Sequence, residues 1–346
     1  MTRFQKLAAA ALLSVLFLIF VGATVRVTGA GMGCPDWPTC WGCLIPPTSV
    51  EQVDFDKLPI ERFQRKAERM GRDPAEITEA SLREEFNARH VWTEFINRLC
   101  SLPVGLFSLA TFIAAFGQLR KRPWVFVMAF ASLLVVLINA WMGARVVYSG
   151  LQPGVLTAHL ALAMALTGML VFCIWGGCDQ PTRIPITGAA RASSRSLVTL
   201  LLILVIAEGI LGAQVREMTD ELAKGHGDLP QDLSRSSWIG QLESSWLYLA
   251  HRSGSWLILV LASLCWWHSR RRQEGKSQHW AEHGVLGIVW LQMGLGVIMA
   301  QIHIYSWVQV LHVGLAAVLL SLLWFWRFAL SDPKGDMPAP ESAKNP

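Results

Sequence analysis

The chain has 346 residues, 53% of them hydrophobic and only 16% charged, with a formal net charge of +5. That is too apolar for an ordinary soluble domain. It holds no zinc-type cysteine spacing, no glycine-rich phosphate loop and no basic-aromatic module, so soluble enzyme and nucleic-acid binder are both poor readings.

A membrane-spanning helix needs about 20 mostly apolar residues, and eight segments qualify. Span one, Phe4–Val27, follows Arg3 and carries Lys6, and its apolar run continues without a small-x-small cleavage site; it reads as a retained helix rather than a signal peptide. Spans two to four are Val91–Phe116, Pro123–Val147 and Thr157–Gly176. Spans five to eight are Ser196–Val215, Ser245–His268, Glu282–His303 and Ser306–Ala329. The expected class is an all-α integral membrane protein, eight helices arranged as two pseudo-symmetric four-helix bundles. Sixteen Trp against three Tyr suits many membrane–water boundaries, where indole rings settle at headgroup level.

Between spans one and two, Leu58–Gly71 and Pro74–Asn87 are charged and amphipathic, with Phe63, Met70, Ile77, Leu82 and Phe86 among Glu, Arg and Lys. Helices lying on the membrane surface are expected there, a substrate-gating lid being the sharper alternative. The tail from Asp332 to Pro346 is rich in Pro, Lys and Glu and is expected to be disordered.

Short loops set the orientation. Arg120, Lys121 and Arg122 follow span two; Arg183, Arg191 and Arg195 follow span four; Arg270, Arg271, Arg272 and Lys276 follow span six. The short loops on the opposite side, Tyr148–Gly154 and Ile304–Tyr305, hold no Lys or Arg. The positive-inside rule then puts both termini in the cytoplasm and the long segments Thr28–His90 and Arg216–Ser244 outside.

The two halves repeat. Span one ends Gly22-Ala23-Thr24-Val25-Arg26 and span five ends Gly212-Ala213-Gln214-Val215-Arg216. Gly143 precedes His159 by the same interval as Gly296 precedes His312. Asn97-Arg98 and His159 in the first half answer His251-Arg252 and His312 in the second. Four spans separate each equivalent pair, so the halves share one membrane orientation, as in a parallel repeat. The expected division is an N-terminal half over 1–178, a C-terminal half over 179–331 and the tail 332–346.

On this topology Asn97, His159, His251 and His312 all fall in the outer half of the membrane. An imidazole inside an apolar helix is expensive and marks a functional site by default, although a lone one is more often structural. Three placed by a repeat point to ligation of heme iron from facing helices. His251 and His312 form a complete pair with no open coordination position, which suits electron transfer or a structural heme. Asparagine is a poor iron ligand, so the first half offers His159 alone and an open position. Glu94, three residues before Asn97, shares its helix face. Its bland role is an ion pair with Arg98 or Arg145, and its functional role is proton delivery or orientation of a bound group. Tyr248 holds the matching place in the second half, so one half reacts and the other keeps a permanent heme. Arg26, Arg216, Arg98 and Arg252 read either as snorkelling anchors or as partners of heme propionates.

Cys34, Cys40 and Cys43 follow span one on the outer side, where a bridge is the default for close cysteines. The expected bridge is Cys34–Cys40, which leaves one thiol for a redox-active or exchanging role. Cys100, Cys173, Cys178 and Cys265 read as small apolar residues. His90, His226, His268, His279, His283 and His303 are given boundary or solvated roles.

The Arg26-Val-Thr-Gly-Ala-Gly-Met-Gly-Cys-Pro-Asp-Trp-Pro-Thr-Cys40 stretch, the Glu94-Phe-Ile-Asn-Arg98 segment and the later intramembrane histidines resemble the heme A synthase family over all eight spans. The resemblance implies conversion of heme O to heme A, the C8 methyl group becoming a formyl group by successive hydroxylation, for cytochrome c oxidase biogenesis. It implies a heme b held by His251 and His312, a catalytic N-terminal site with Glu94 and His159, and a Cys34–Cys40 pair. Asn97 departs from the family's usual histidine and sets this chain in a subgroup; the expectation is that His159 alone binds the substrate iron while Asn97 hydrogen-bonds a distal ligand. Expected partners are heme O, heme O synthase, the oxidase assembly machinery, an unidentified electron donor and the lipid bilayer, with no nucleic acid. The expected location is the cell inner membrane, multi-pass, with heme sites toward the outer face. Two other classes compete: a cytochrome b electron-transfer subunit, which needs neither Glu94 nor an asparagine at 97, and a heme-binding oxidase assembly factor without catalysis.

Overall fold

The structure is a computed structural model that describes residues 1–69, 73–152, 154–186, 188–225, 238–272 and 280–331. Met70, Lys276, His226, His279 and the tail 332–346 lie outside the described residues. In chain order the helices are α1 (Arg3–Val27), α2 (Ile60–Arg69), α3 (Glu79–Glu85), α4 (Ala88–Ala115), α5 (Pro123–Ser149), α6 (Val155–Gly176), α7 (Gly188–Gly225), α8 (Ile239–Ser244), α9 (Trp246–Arg272), α10 (Trp280–Gln301) and α11 (Ser306–Ala329). No strand is present among the described residues; Cys40 and Cys43 make a single bridge.

Eight of these helices are long and apolar enough to cross a membrane, the shortest having 22 residues. At about 1.5 Å per residue even that one covers a hydrocarbon layer of about 30 Å. Their starts and stops follow local chemistry. Thr2 caps α1, its hydroxyl accepting from Gln5 N while Gln5 Oε1 accepts from Thr2 N. Asn87 caps α4 by accepting from His90 N at 3.2 Å. Pro123 opens α5, and Gly150, in the left-handed region at φ 71°, closes it. Leu13, Phe17, Leu106, Ile113, Leu137, Leu257 and Val297 are exposed on the outer faces of the helices. Apolar residues facing outward on these spans fit a multi-pass membrane protein, where helices satisfy all backbone hydrogen bonds internally. Exposed tryptophans stand at both ends of the spans, Trp124, Trp267 and Trp280 at one and Trp246 and Trp307 at the other, and also within them at Trp141, Trp256 and Trp290.

Helix α7 departs from expectation. It continues past Val215 to Gly225, so Arg216, Glu217 and Asp220 are helical rather than loop residues. The stretch from Arg216 holds good helix formers with no Gly or Pro before Gly225, and Arg216 pairs with Asp220 one turn on, at 2.9 Å.

Packing places α1 against α4, α6 and α11, α5 against α4 and α6, α7 against α9, α11 and α6, and α10 against α9 and α11. The helices α1, α6, α7 and α11 therefore form the centre. Glycines let them close up: a Cβ at Gly314 of α11 would lie 2.1 Å from the Phe20 ring of α1, and one at Gly168 of α6 would lie 2.7 Å from Trp324 of α11. Met164 of α6 fills the space over Gly209 of α7 in the same way.

The segment between α1 and α4 is a small folded unit. Phe63, Ala67, Ile77 and Leu82 are buried with Cys34, Cys40, Trp41, Phe55 and Val91, so the amphipathic helices turn their apolar faces onto the cysteine loop rather than onto a membrane surface. Asp36 organises that loop by accepting from Trp41 N (2.7 Å), Gly42 N (3.0 Å) and the Thr39 hydroxyl. Gly33 is packed so tightly on the start of α4 that a Cβ would sit 2.4 Å from the His90 carbonyl.

Candidate functional site

Helices α4, α6, α9 and α11 all begin at the end of the bundle that carries the cysteine loop, so Asn97, His159, His251 and His312 share that end. Each is half-buried, and Asn97 Oδ1 and the Nδ1 atoms of all three histidines are buried without a hydrogen bond. Four orphaned polar atoms toward one end of the bundle are costly unless something else engages them.

His251 and His312 face one another with ring centres 6.3 Å apart and planes at 80°. Two metal–imidazole bonds of about 2 Å, with about 1 Å from each nitrogen to its ring centre, make the separation for a shared ion roughly 6 Å. Among the described residues no group of three or more His, Cys, Asp or Glu could hold a metal ion. Two imidazoles alone make a poor protein-only site, but they complete an iron whose other four ligands come from a macrocycle. The residues present therefore fit a heme. The His251 ring lies against α7, where a Cβ at Gly212 would come 3.0 Å from its Cε1. Gln292 of α10 donates to the His312 carbonyl at 2.9 Å, leaving its own buried Oε1 unpartnered.

In the first half the same pieces recur around different side chains. A Cβ at Gly22 would meet Asn97 Oδ1 at 3.8 Å, and one at Gly143 would meet His159 Cε1 at 3.6 Å. Asn139, at the place in α5 that Gln292 holds in α10, also keeps a buried, unpartnered Oδ1. Glu94 is buried and already engaged: Oε1 takes Arg98 Nη2 at 2.6 Å and Oε2 takes Cys34 N at 2.8 Å. Arg98 also donates to the carbonyls of Thr39 (2.8 Å) and Cys34 (3.3 Å). Glu94 and Arg98 thus tie α4 to the loop that Cys34 and Cys40 close with a disulfide. Cys43 is free and half-buried.

The arginines divide. Arg26 donates from Nε (3.1 Å) and Nη2 (2.8 Å) to Asp220 Oδ2, and Arg216 Nη2 lies 2.9 Å from Oδ1 of the same carboxylate. One aspartate thus takes up both arginines that the repeat matches. Arg252 is exposed and has no partner among the described residues. Arg145 is also exposed, and it is Arg98 that pairs with Glu94.

Residues 5–324 match the COX15-CtaA family, described as "Cytochrome oxidase assembly protein". The chain belongs to this family. Curated relatives include the heme A synthases of Methylobacterium nodulans, 25% identical over 89% of this chain and 86% of the relative, and of Agrobacterium fabrum, 27% identical over 95% and 90%. The heme A synthase of Shewanella oneidensis is 23% identical over 89% of this chain and 91% of its own length.

Three acidic residues of this family member escape a reading built on the histidines. Asp220 stands between Arg26 and Arg216. Glu217, buried, accepts from the Thr157 hydroxyl at 2.8 Å and Gly154 N at 3.3 Å, joining α7 to the start of the His159 helix. Glu208, within the apolar run of α7, sits 3.0 Å from His251 Nδ1. A carboxylate amid Leu, Ile and Val is as strong a signal as an imidazole there. The repeat gives Glu208 no acidic counterpart, since Leu18 holds the matching place in span one.

Proposed function

We propose that this chain is a heme A synthase that oxidises the C8 methyl group of heme O to the formyl group of heme A for cytochrome c oxidase biogenesis. The observation that carries the reading is the facing His251–His312 pair, within a chain whose relatives bear that name. His251 and His312 hold a heme b, which supplies electron transfer because it has no open coordination position. Heme O is the substrate, and His159 binds its iron from the α6 side. Asn97, too weak a donor to ligate iron, offers its amide to a distal ligand. Glu94, held by Arg98 and Cys34 N on the helix face of Asn97, serves proton delivery or orientation of the bound group.

Recurrent contacts support two pseudo-symmetric halves, 1–178 and 179–331. Gly22 lies on Asn97 as Gly212 lies on His251, and Asn139 answers Gln292. Arg26 and Arg216, both held by Asp220, would pair with heme propionates if a heme were bound, and Arg98 and Arg252 follow Asn97 and His251 in sequence. The arginine-rich ends carry Arg120 to Arg122 and Arg270 to Arg272, and the disulfide lies at the opposite end. That distribution supports cytoplasmic termini, an inner-membrane location and heme sites toward the outer face. Heme O synthase and the oxidase assembly machinery are the partners this role implies.

The test is chromatography of hemes extracted from cells that make heme O, with and without this chain. Heme A appears only with the chain. Heme O left unchanged while the protein is present and folded would assign it to electron transfer or to non-catalytic assembly.

A further inference from the structure

We infer that Glu208 is a positioning residue for His251, fixing the ring so that Nε2 is presented to the metal while Nδ1–H is directed at the carboxylate. The inference rests on the heme reading of the His251–His312 pair. Glu208 comes from α7, the neighbouring helix, and its Oε1 lies 3.0 Å from His251 Nδ1. The distance is that of a hydrogen bond although the direction is not yet aligned, and His251 Nδ1 is otherwise orphaned. Such bonds commonly tighten only when the ligand is bound. Ligating histidines usually donate their second ring nitrogen to a carboxylate or carbonyl, which sets the tautomer and makes the ligand more basic.

The surroundings are shaped for the carboxylate. Ser255, one turn after His251, donates its hydroxyl to Glu208 Oε1 at 2.6 Å. Gly254 leaves the room: a Cβ there would lie 2.4 Å from Glu208 Oε2. The first half lacks the device, since Leu18 stands in place of Glu208 and Cys100 in place of Gly254. The carboxylate therefore serves only the half that keeps its heme, where a more basic imidazole favours ferric iron.

The experiment uses the full chain purified with its native heme. It reads the low-spin absorption bands and the ratio of reduced to oxidised heme at one fixed ambient potential, in wild type, Glu208→Gln and Gly254→Ala. Glu208→Gln removes the charged acceptor; Gly254→Ala keeps the charge but pushes Oε2 off its place. Both variants are expected to keep low-spin bands and to raise the ratio about 10-fold. A ratio within about two-fold of wild type in either variant overturns the inference, an effect of Glu208→Gln alone being charge acting at a distance. Where Glu208→Gln does not fold, Gly254→Ala decides alone. Wild-type protein without a low-spin heme band would instead sink the reading of the histidine pair.

Discussion

Asn97 and His251 occupy matching places on α4 and α9, each with a glycine of the preceding central helix at its side, yet only one of them can bind iron. The difference is chemical rather than steric, so Asn97→His restores an imidazole where the neighbouring backbone already leaves space. The expected result is conversion of the substrate-loaded first site from an open to a six-coordinate low-spin spectrum. Unchanged spectra would mean that α4 does not face the substrate iron. Glu94 shows the limit of single-residue reading. The sequence offers an ion pair with Arg98 and a role in proton delivery as rivals; the geometry shows the ion pair, and the proposed role would act through a carboxylate held in that way. The three histidines were legible because imidazole in an apolar helix has no cheap explanation. Glu208 was equally visible but has no repeat partner. The Cys34 N contact to Glu94 depends on how the cysteine loop folds back, which no spacing reveals.

The eight spans could be read from hydropathy because lipid demands long apolar helices. What hydropathy hides is where a helix stays helical after leaving that layer. Helix α7 runs ten residues beyond Val215 to Gly225, carrying Arg216, Glu217 and Asp220 on a rigid rod above the sites. In the same way, α2 and α3 were readable as amphipathic but not as halves of a core closed by Cys34 and Cys40. Amphipathicity names the buried face and leaves its partner open. The close approach of α11 to α1 and α6 is set by small residues. Gly314→Ala drives a methyl group into the Phe20 ring, so it should destabilise the detergent-solubilised protein by about 1–3 kcal/mol. Adding Phe20→Leu should recover at least about 0.5 kcal/mol as a coupling term in a double-mutant cycle of thermal unfolding. Strict additivity would show that the two helices do not meet there.

At the scale of the whole molecule, duplication makes division of labour available. Both halves put ligand positions at the same end of helices that run the same way, and the second completes a bis-imidazole pair while the first does not. The proposed division between a retained and an exchanged heme would rest on one fold, whose ends are joined by Asp220 between Arg26 and Arg216 and by Glu217 against Thr157. The measurement that reaches this most directly is heme content and spectrum of the purified chain from cells unable to make heme O. The account predicts one low-spin heme per chain in wild type, retained in His159→Ala and lost in His312→Ala. A heme that survives His312→Ala but disappears in His159→Ala would contradict it.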